Sequence, residues 1–117
     1  MIINLTPHAL GVYDAEGKNL IATIPSSGMV RVNTSAVEAG VVEIDGNSVP
    51  VVETTYGTVD GLPAAKEGTI YVVSVLVIAA LKAANIDRSD VVSPDTGSGS
   101  VVRDGEGKIL GVKRFTR

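Results

Sequence analysis

The chain has 117 residues, 44% of them hydrophobic, and a formal net charge of −3 at pH 7, enough apolar material for a single domain spanning residues 1–117 and too much for a disordered chain. Only Tyr13, Tyr56, Tyr71 and Phe115 are aromatic, beside nineteen valines, so the core has to be built from β-branched aliphatics that favour strands. With no Cys and one His (His8), disulfides, thiolate or multi-histidine metal sites and Cys nucleophiles are excluded, and the acidic balance opposes bulk binding to nucleic acid or an anionic membrane.

Ile2 to Thr6 and Ala9 to Asp14 read as strands separated by Pro7, whose ring cannot donate to a ladder. Asp14-Ala15-Glu16-Gly17-Lys18 supplies a turn before Leu20 to Ile24, which completes a hairpin. Pro25-Ser26-Ser27-Gly28 breaks the chain, and Met29 to Asn33 alternates with period two. Val41 to Ile44 and Val49 to Thr55 flank Asp45-Gly46-Asn47-Ser48 as a second hairpin, with Pro50 marking an edge or a bulge. Asp60-Gly61-Leu62-Pro63 ends this meander.

Thr69 to Val73 is continuously apolar, the mark of a central strand buried on both faces. Val75 to Ala84 then holds the best helix formers, with Ser74 placed as N-cap, Lys82 near the negative pole and Asn85 able to take a left-handed cap. Asp87 to Pro94 is a polar cluster running into a short strand, and Asp95 to Ser100 is a Gly/Ser-rich connector. Val101 to Arg103 and Ile109 to Phe115 close the chain as a hairpin around Asp104-Gly105-Glu106-Gly107-Lys108. This turn repeats the Asp-x-Glu-Gly-Lys of residues 14–18, which reads as the same turn chemistry used twice. The expected fold is α+β: a mostly antiparallel sheet or partly open barrel of short strands packed around one buried helix.

The first residues lack the basic and apolar regions of a signal peptide, and the longest uncharged apolar run, Ile70 to Leu81, is shorter than the ~18–20 residues a membrane span needs. The expectation is a protein without membrane association, working in a cytoplasm. Residues 103–117 carry five cations against Asp104 and Glu106, a local +3 that leaves −6 on the rest. This segment is either a solvated terminal hairpin or a basic edge that meets an anion or the acidic body of a neighbouring subunit.

Catalytic patterns are sparse. His8 has no partner at a spacing that would make it a general base, G-x-S-x-G is absent, and the glycines of residues 96–100 do not form a P-loop. No catalytic residue, metal or cofactor is assigned. Arg88 and Arg103 each present a donor fork suited to phosphate, although Arg88 is equally placed to pair with Asp90 or Asp87. Asn4, Thr6, His8, Tyr56, Ser74 and Asp90 are the other polar side chains beside strand ends.

Asn4-Leu5-Thr6-Pro7-His8, Ile24-Pro25-Ser26-Ser27-Gly28, Gly68-Thr69-Ile70-Tyr71-Val72-Val73-Ser74, Arg88-Ser89-Asp90, Ser93-Pro94-Asp95-Thr96-Gly97 and Arg103-Asp104 together resemble a family of small proteins common in tailed phages and prophages. The resemblance runs through nearly the whole chain. Small phage proteins of this kind include sponges that sequester nucleotide immune signals, such as the cyclic nucleotides or ADP-ribose derivatives of CBASS or Thoeris systems. By that analogy the chain is expected to bind a nucleotide-derived small molecule in the host cytoplasm, without catalysis, as a homo-oligomer. His8 and Tyr56 would pack on a base or ribose, Arg88 and Arg103 would clamp phosphate, and Asn4, Thr6, Ser74 and Asp90 would fix hydroxyls. The alternative function is a virion or assembly-associated β-rich protein-interaction module.

Overall fold

A computed structural model describes residues 1–117. Ten strands and one helix follow in the order β1 (Ile2–Asn4), β2 (Leu10–Tyr13), β3 (Leu20–Ile24), β4 (Arg31–Ile44), β5 (Asn47–Asp60), β6 (Ile70–Val72), α1 (Val75–Ala83), β7 (Val91–Pro94), β8 (Val101–Arg103), β9 (Ile109–Val112) and β10 (Phe115–Thr116). The fold is α+β and β-rich, with open sheets of mixed and antiparallel pairing around one short helix.

One sheet has the order β1-β6-β7-β10, in which β1, β6 and β7 run parallel and β10 pairs antiparallel with β7. The connection from β6 to β7 passes through α1, because parallel neighbours need a crossover longer than a turn. Thr69 to Val73 reads as a central strand, and Tyr71, Val72 and Val73 are indeed at most 3% exposed, with β6 between β1 and β7. Leu5, Val30, Tyr71, Val73, Val77, Ile78, Leu81 and Val91 form the core between this sheet and α1. Each such aliphatic side chain contributes about 1.5–3 kcal/mol when fully buried.

The helix begins after Ser74, whose extended backbone (φ −70°, ψ 158°) caps the first turn without a side-chain hydrogen bond. It ends on a Schellman arrangement: Asn85 takes φ 57°, its N–H donates to the Lys82 carbonyl, and the Ile86 N–H donates to the Leu81 carbonyl.

The second sheet has the order β3-β2-β9-β8. Its two hairpins turn on the repeated pentapeptide, and the turns fold alike. Asp14 Oδ1 accepts from the Lys18 N–H and Asp104 Oδ1 from the Lys108 N–H, both at 3.0 Å, with Gly17 and Gly107 at positive φ. The terminal strand expected over Ile109 to Phe115 is split at Lys113 and Arg114, so that β9 belongs to this sheet and β10 to the first.

The third sheet is β4 and β5 alone, a hairpin of two 14-residue strands. The expected turn at Asp45-Gly46 is present, but pairing runs down to Arg31 opposite Asp60, far beyond the apolar stretches. Thr34, Ser35 and Ala36 extend it because backbone hydrogen bonds, not side-chain burial, carry the ladder there. Pro50 stands opposite Val41, and the register shifts between Glu38 and Gly40. No helix is long and apolar enough to cross a membrane.

Candidate functional site

Parallel pairing brings three strand ends to one rim. Beyond the carboxyl end of β1 stand Thr6 and His8, beyond β6 stand Ser74 and Val75, and at the end of β7 stand Ser93, Pro94 and Thr96. With Leu10 and Gly11 of β2 and Ile109, Leu110 and Gly111 of β9 they line a cleft of about 340 Å³ between the two four-stranded sheets. In open sheets with parallel strands, the carboxyl ends are where ligands gather. The volume suits a small organic molecule, and the lining combines apolar walls with a few converging polar groups.

The Asn4-Leu5-Thr6-Pro7-His8 segment is held by Asn4. Fully buried, its Nδ2 donates to the His8 carbonyl at 2.9 Å and to the Ile24 carbonyl at 3.0 Å. Its Oδ1 accepts from the Thr6 N–H at 3.0 Å and the Thr6 hydroxyl at 2.6 Å. Pro7 and His8 are exposed. The motif therefore positions His8 at the rim through its backbone and leaves the imidazole facing solvent.

Ser74 makes no capping bond, so its hydroxyl remains available where the N-terminus of α1 opens onto the cleft. Orphan N–H groups and the positive end of the helix dipole favour an anion there. On the opposite rim, Asp95 orders the loop that carries Thr96. Its carboxylate accepts from the Gly97 N–H, the Ser100 hydroxyl and Arg114 Nε, at 2.9, 3.1 and 2.6 Å. The Gly97 amide, then Arg114, holds its pKa below the ordinary carboxylate value.

Of the eight residues singled out in the sequence, the fold brings Thr6, His8 and Ser74 together at this cleft, with the buried Asn4 holding the Thr6–His8 segment in place. Arg88 and Asp90 lie elsewhere, as a bidentate ion pair with Nε–Oδ1 2.8 Å and Nη2–Oδ2 2.9 Å, and Arg88 also donates to the Pro63 carbonyl. Hydrogen bonding to Arg88 lowers the Asp90 pKa and raises that of Arg88 in return. Arg103 donates to the Gly107 carbonyl at 2.7 Å within the β8–β9 turn, and Tyr56 is on β5.

Ser93, Thr96 and the β9 wall are cleft residues that sequence reasoning did not join to Thr6 and Ser74. Ser93 and Thr96 stand in a recognisable stretch, Ser93-Pro94-Asp95-Thr96-Gly97. Their nearness to residue 6 depends on parallel pairing between distant strands, which no local pattern reveals. Compared with known proteins, the chain matches no family model, no curated protein and no solved structure.

Proposed function

We propose that this is a phage-encoded, homo-oligomeric counter-defence protein that binds a nucleotide-derived immune signal in the cleft, in the bacterial host cytoplasm, and sequesters it unchanged. The observation that carries the reading is the convergence of three parallel strand ends and a helix N-terminus on one cleft. A phosphate group suits the first turn of α1 and the Ser74 hydroxyl. Base and ribose suit the apolar walls of Leu10, Pro94, Ile109 and Leu110, with His8 at the rim to stack or donate. Thr6, Ser93 and Thr96 offer hydroxyls for ribose oxygens. Phosphate recognition is thereby assigned to backbone amides, in place of the Arg88 and Arg103 clamp. Titration with cyclic ADP-ribose isomers and cyclic di- and trinucleotides tests it: saturable heat with the ligand recovered intact supports sequestration, and turnover to a product makes the protein an enzyme instead.

The second reading, a virion or assembly module, is favoured by one specific feature, the exposed β4–β5 hairpin. The two separate by variant. His8→Ala weakens small-molecule binding and spares assembly, whereas substitutions on the hairpin do the reverse.

A further inference from the structure

The β4–β5 hairpin is an arm without a partner. Every residue from 33 to 55 is exposed, and only its base, through Val59, packs against the core. The radius of gyration is 17.3 Å, against about 13 Å for a compact domain of this length, and the longest dimension is 52 Å. Strand rise of about 3.3 Å per residue carries residues 33–44 roughly 40 Å. An isolated two-stranded hairpin is marginal in water, so an arm of this length requires something to lie against.

Its chemistry states what kind of surface. Val42 stands opposite Val49, Ile44 opposite Asn47 and Gly40 opposite Val51, so Val42, Ile44, Val49 and Val51 share one face near the tip. All four are at least 40% exposed. The charges between Val32 and Val59 are Glu38, Glu43, Asp45 and Glu53, with no Lys or Arg among them. Two arms laid face to face would bring like charges together, so a second arm is a poor partner.

The rest of the same chain offers the complement. Beside the α1 C-terminus, Ile78, Leu81, Ile86 and Val91 floor a hollow of about 80 Å³, rimmed by Lys82, Asp87, Arg88 and Arg117, and since Arg88 is engaged by Asp90, Lys82 and Arg117 are the cations it offers a partner. It lies next to β10, the outer strand of its sheet, where Arg114 is exposed but already paired with Asp95. Lys82 Nζ donates to the Arg117 carbonyl and keeps its charge at the rim. Ile86 is 48% exposed.

We infer that the arm of one copy docks on this cationic hollow of a second copy, an aliphatic side chain of the tip entering it and the arm carboxylates facing Lys82 and Arg117. Reciprocal docking gives a closed two-fold dimer, the symmetry commonest among homo-oligomers. The dimer specifies the oligomer of the proposed function, but its surfaces are separate from the cleft, and the two stand or fall by different measurements.

Sedimentation velocity of the full chain is the test. The 12.0 kDa protein is expected to sediment as a dimer. Ile44→Glu together with Val42→Glu, on residues that contribute nothing to the core, is expected to give monomer with unchanged circular dichroism. Lys82→Glu is expected to weaken association about tenfold or more at low salt, and Glu43→Lys in the same chain to restore it to within about threefold of wild type. A wild-type monomer at all concentrations, a dimer indifferent to the arm substitutions, or tighter association from Glu43→Lys alone would each overturn the inference. Dimerisation without ligand binding leaves it standing and removes the cleft reading, and ligand binding by a monomer does the opposite.

Discussion

Gly11 of β2 and Gly111 of β9 meet across the seam between the two hairpins so closely that neither has room for a side chain. A Cβ on Gly11 would lie 2.7 Å from the Leu110 carbonyl oxygen, and one on Gly111 would lie 2.8 Å from the Gly11 carbonyl carbon. Both clashes are with backbone, which cannot swing aside as the end of a side chain can. Since both glycines line the cleft, this close approach also sets the position of its wall. Gly111→Ala is expected to destabilise the fold by about 1–3 kcal/mol, the usual cost of overpacking. Thermal unfolding checks it, and a melting temperature equal to that of wild type would contradict the packing described.

Asn4 should be the most sensitive polar residue. Truncation to Ala removes the amide bonds to the His8 and Ile24 carbonyls and leaves the Thr6 N–H without its acceptor, although the His8 carbonyl keeps the Thr6 hydroxyl, and an unsatisfied buried group costs about 1–3 kcal/mol. Asn4→Ala is therefore expected to lower stability by more than Thr6→Ala, which leaves the Asn4 amide bonds to His8 and Ile24 in place. Chemical denaturation of the two variants side by side gives the comparison.

The acid limb of stability follows from depressed carboxylates. Asp90 is held below its ordinary value chiefly by hydrogen bonding to Arg88, and Asp95 chiefly by the Gly97 amide. A pKa lower in the folded state than the unfolded value of about 3.9 stabilises the fold above that value, and the gain is lost as pH falls through the folded one. Melting temperature should hold level, as far as these two groups govern it, from about pH 5 to 7 and drop below about pH 4. Asp90→Asn should start lower at neutral pH and fall less on acidification. An acid limb as steep as that of wild type would show that the Arg88–Asp90 pair does not contribute.

Several of these elements are legible in the sequence because their causes are local. Within Thr69 to Val73 the apolar run marks a strand that is buried from Tyr71 to Val73 while Ile70 stays 36% exposed, Asn85 marks a left-handed helix end, and the two Asp-x-Glu-Gly-Lys turns fold alike because Asp and Gly dictate the turn. The arm was legible at its tip and, through the alternation of Met29 to Asn33, at the start of β4, but not as one continuous ladder. Thr34, Ser35 and Ala36 carry no period-two apolar signal, since that part of the ladder buries nothing. The cleft was legible as strand-end residues without an address: Thr6, His8 and Ser74 converge, while Arg88, Asp90, Arg103 and Tyr56 lie on other elements. The difference lies in pairing among β1, β6 and β7 across some ninety residues, which long-range packing decides.

Cleft substitutions should separate binding from folding. His8 is exposed and Ser74 Oγ makes no capping bond, so His8→Ala and Ser74→Ala are expected to leave melting temperature within about 1–2 °C of wild type, as surface changes usually do. Each should weaken ligand binding about tenfold, the worth of roughly one charge-assisted hydrogen bond or stacking contact. Arg88→Ala should instead lower stability through the unpaired Asp90 and leave affinity intact.

The most direct measurement is calorimetric titration of the purified 117-residue chain with cyclic ADP-ribose isomers and cyclic di- and trinucleotides, followed by chromatography of the released ligand. Tight binding at one site per chain, weakened by His8→Ala and Ser74→Ala and yielding the ligand unchanged, is the predicted result. No heat with any of these ligands, or binding indifferent to both substitutions, would contradict the assignment of the cleft as a site for sequestering a nucleotide signal.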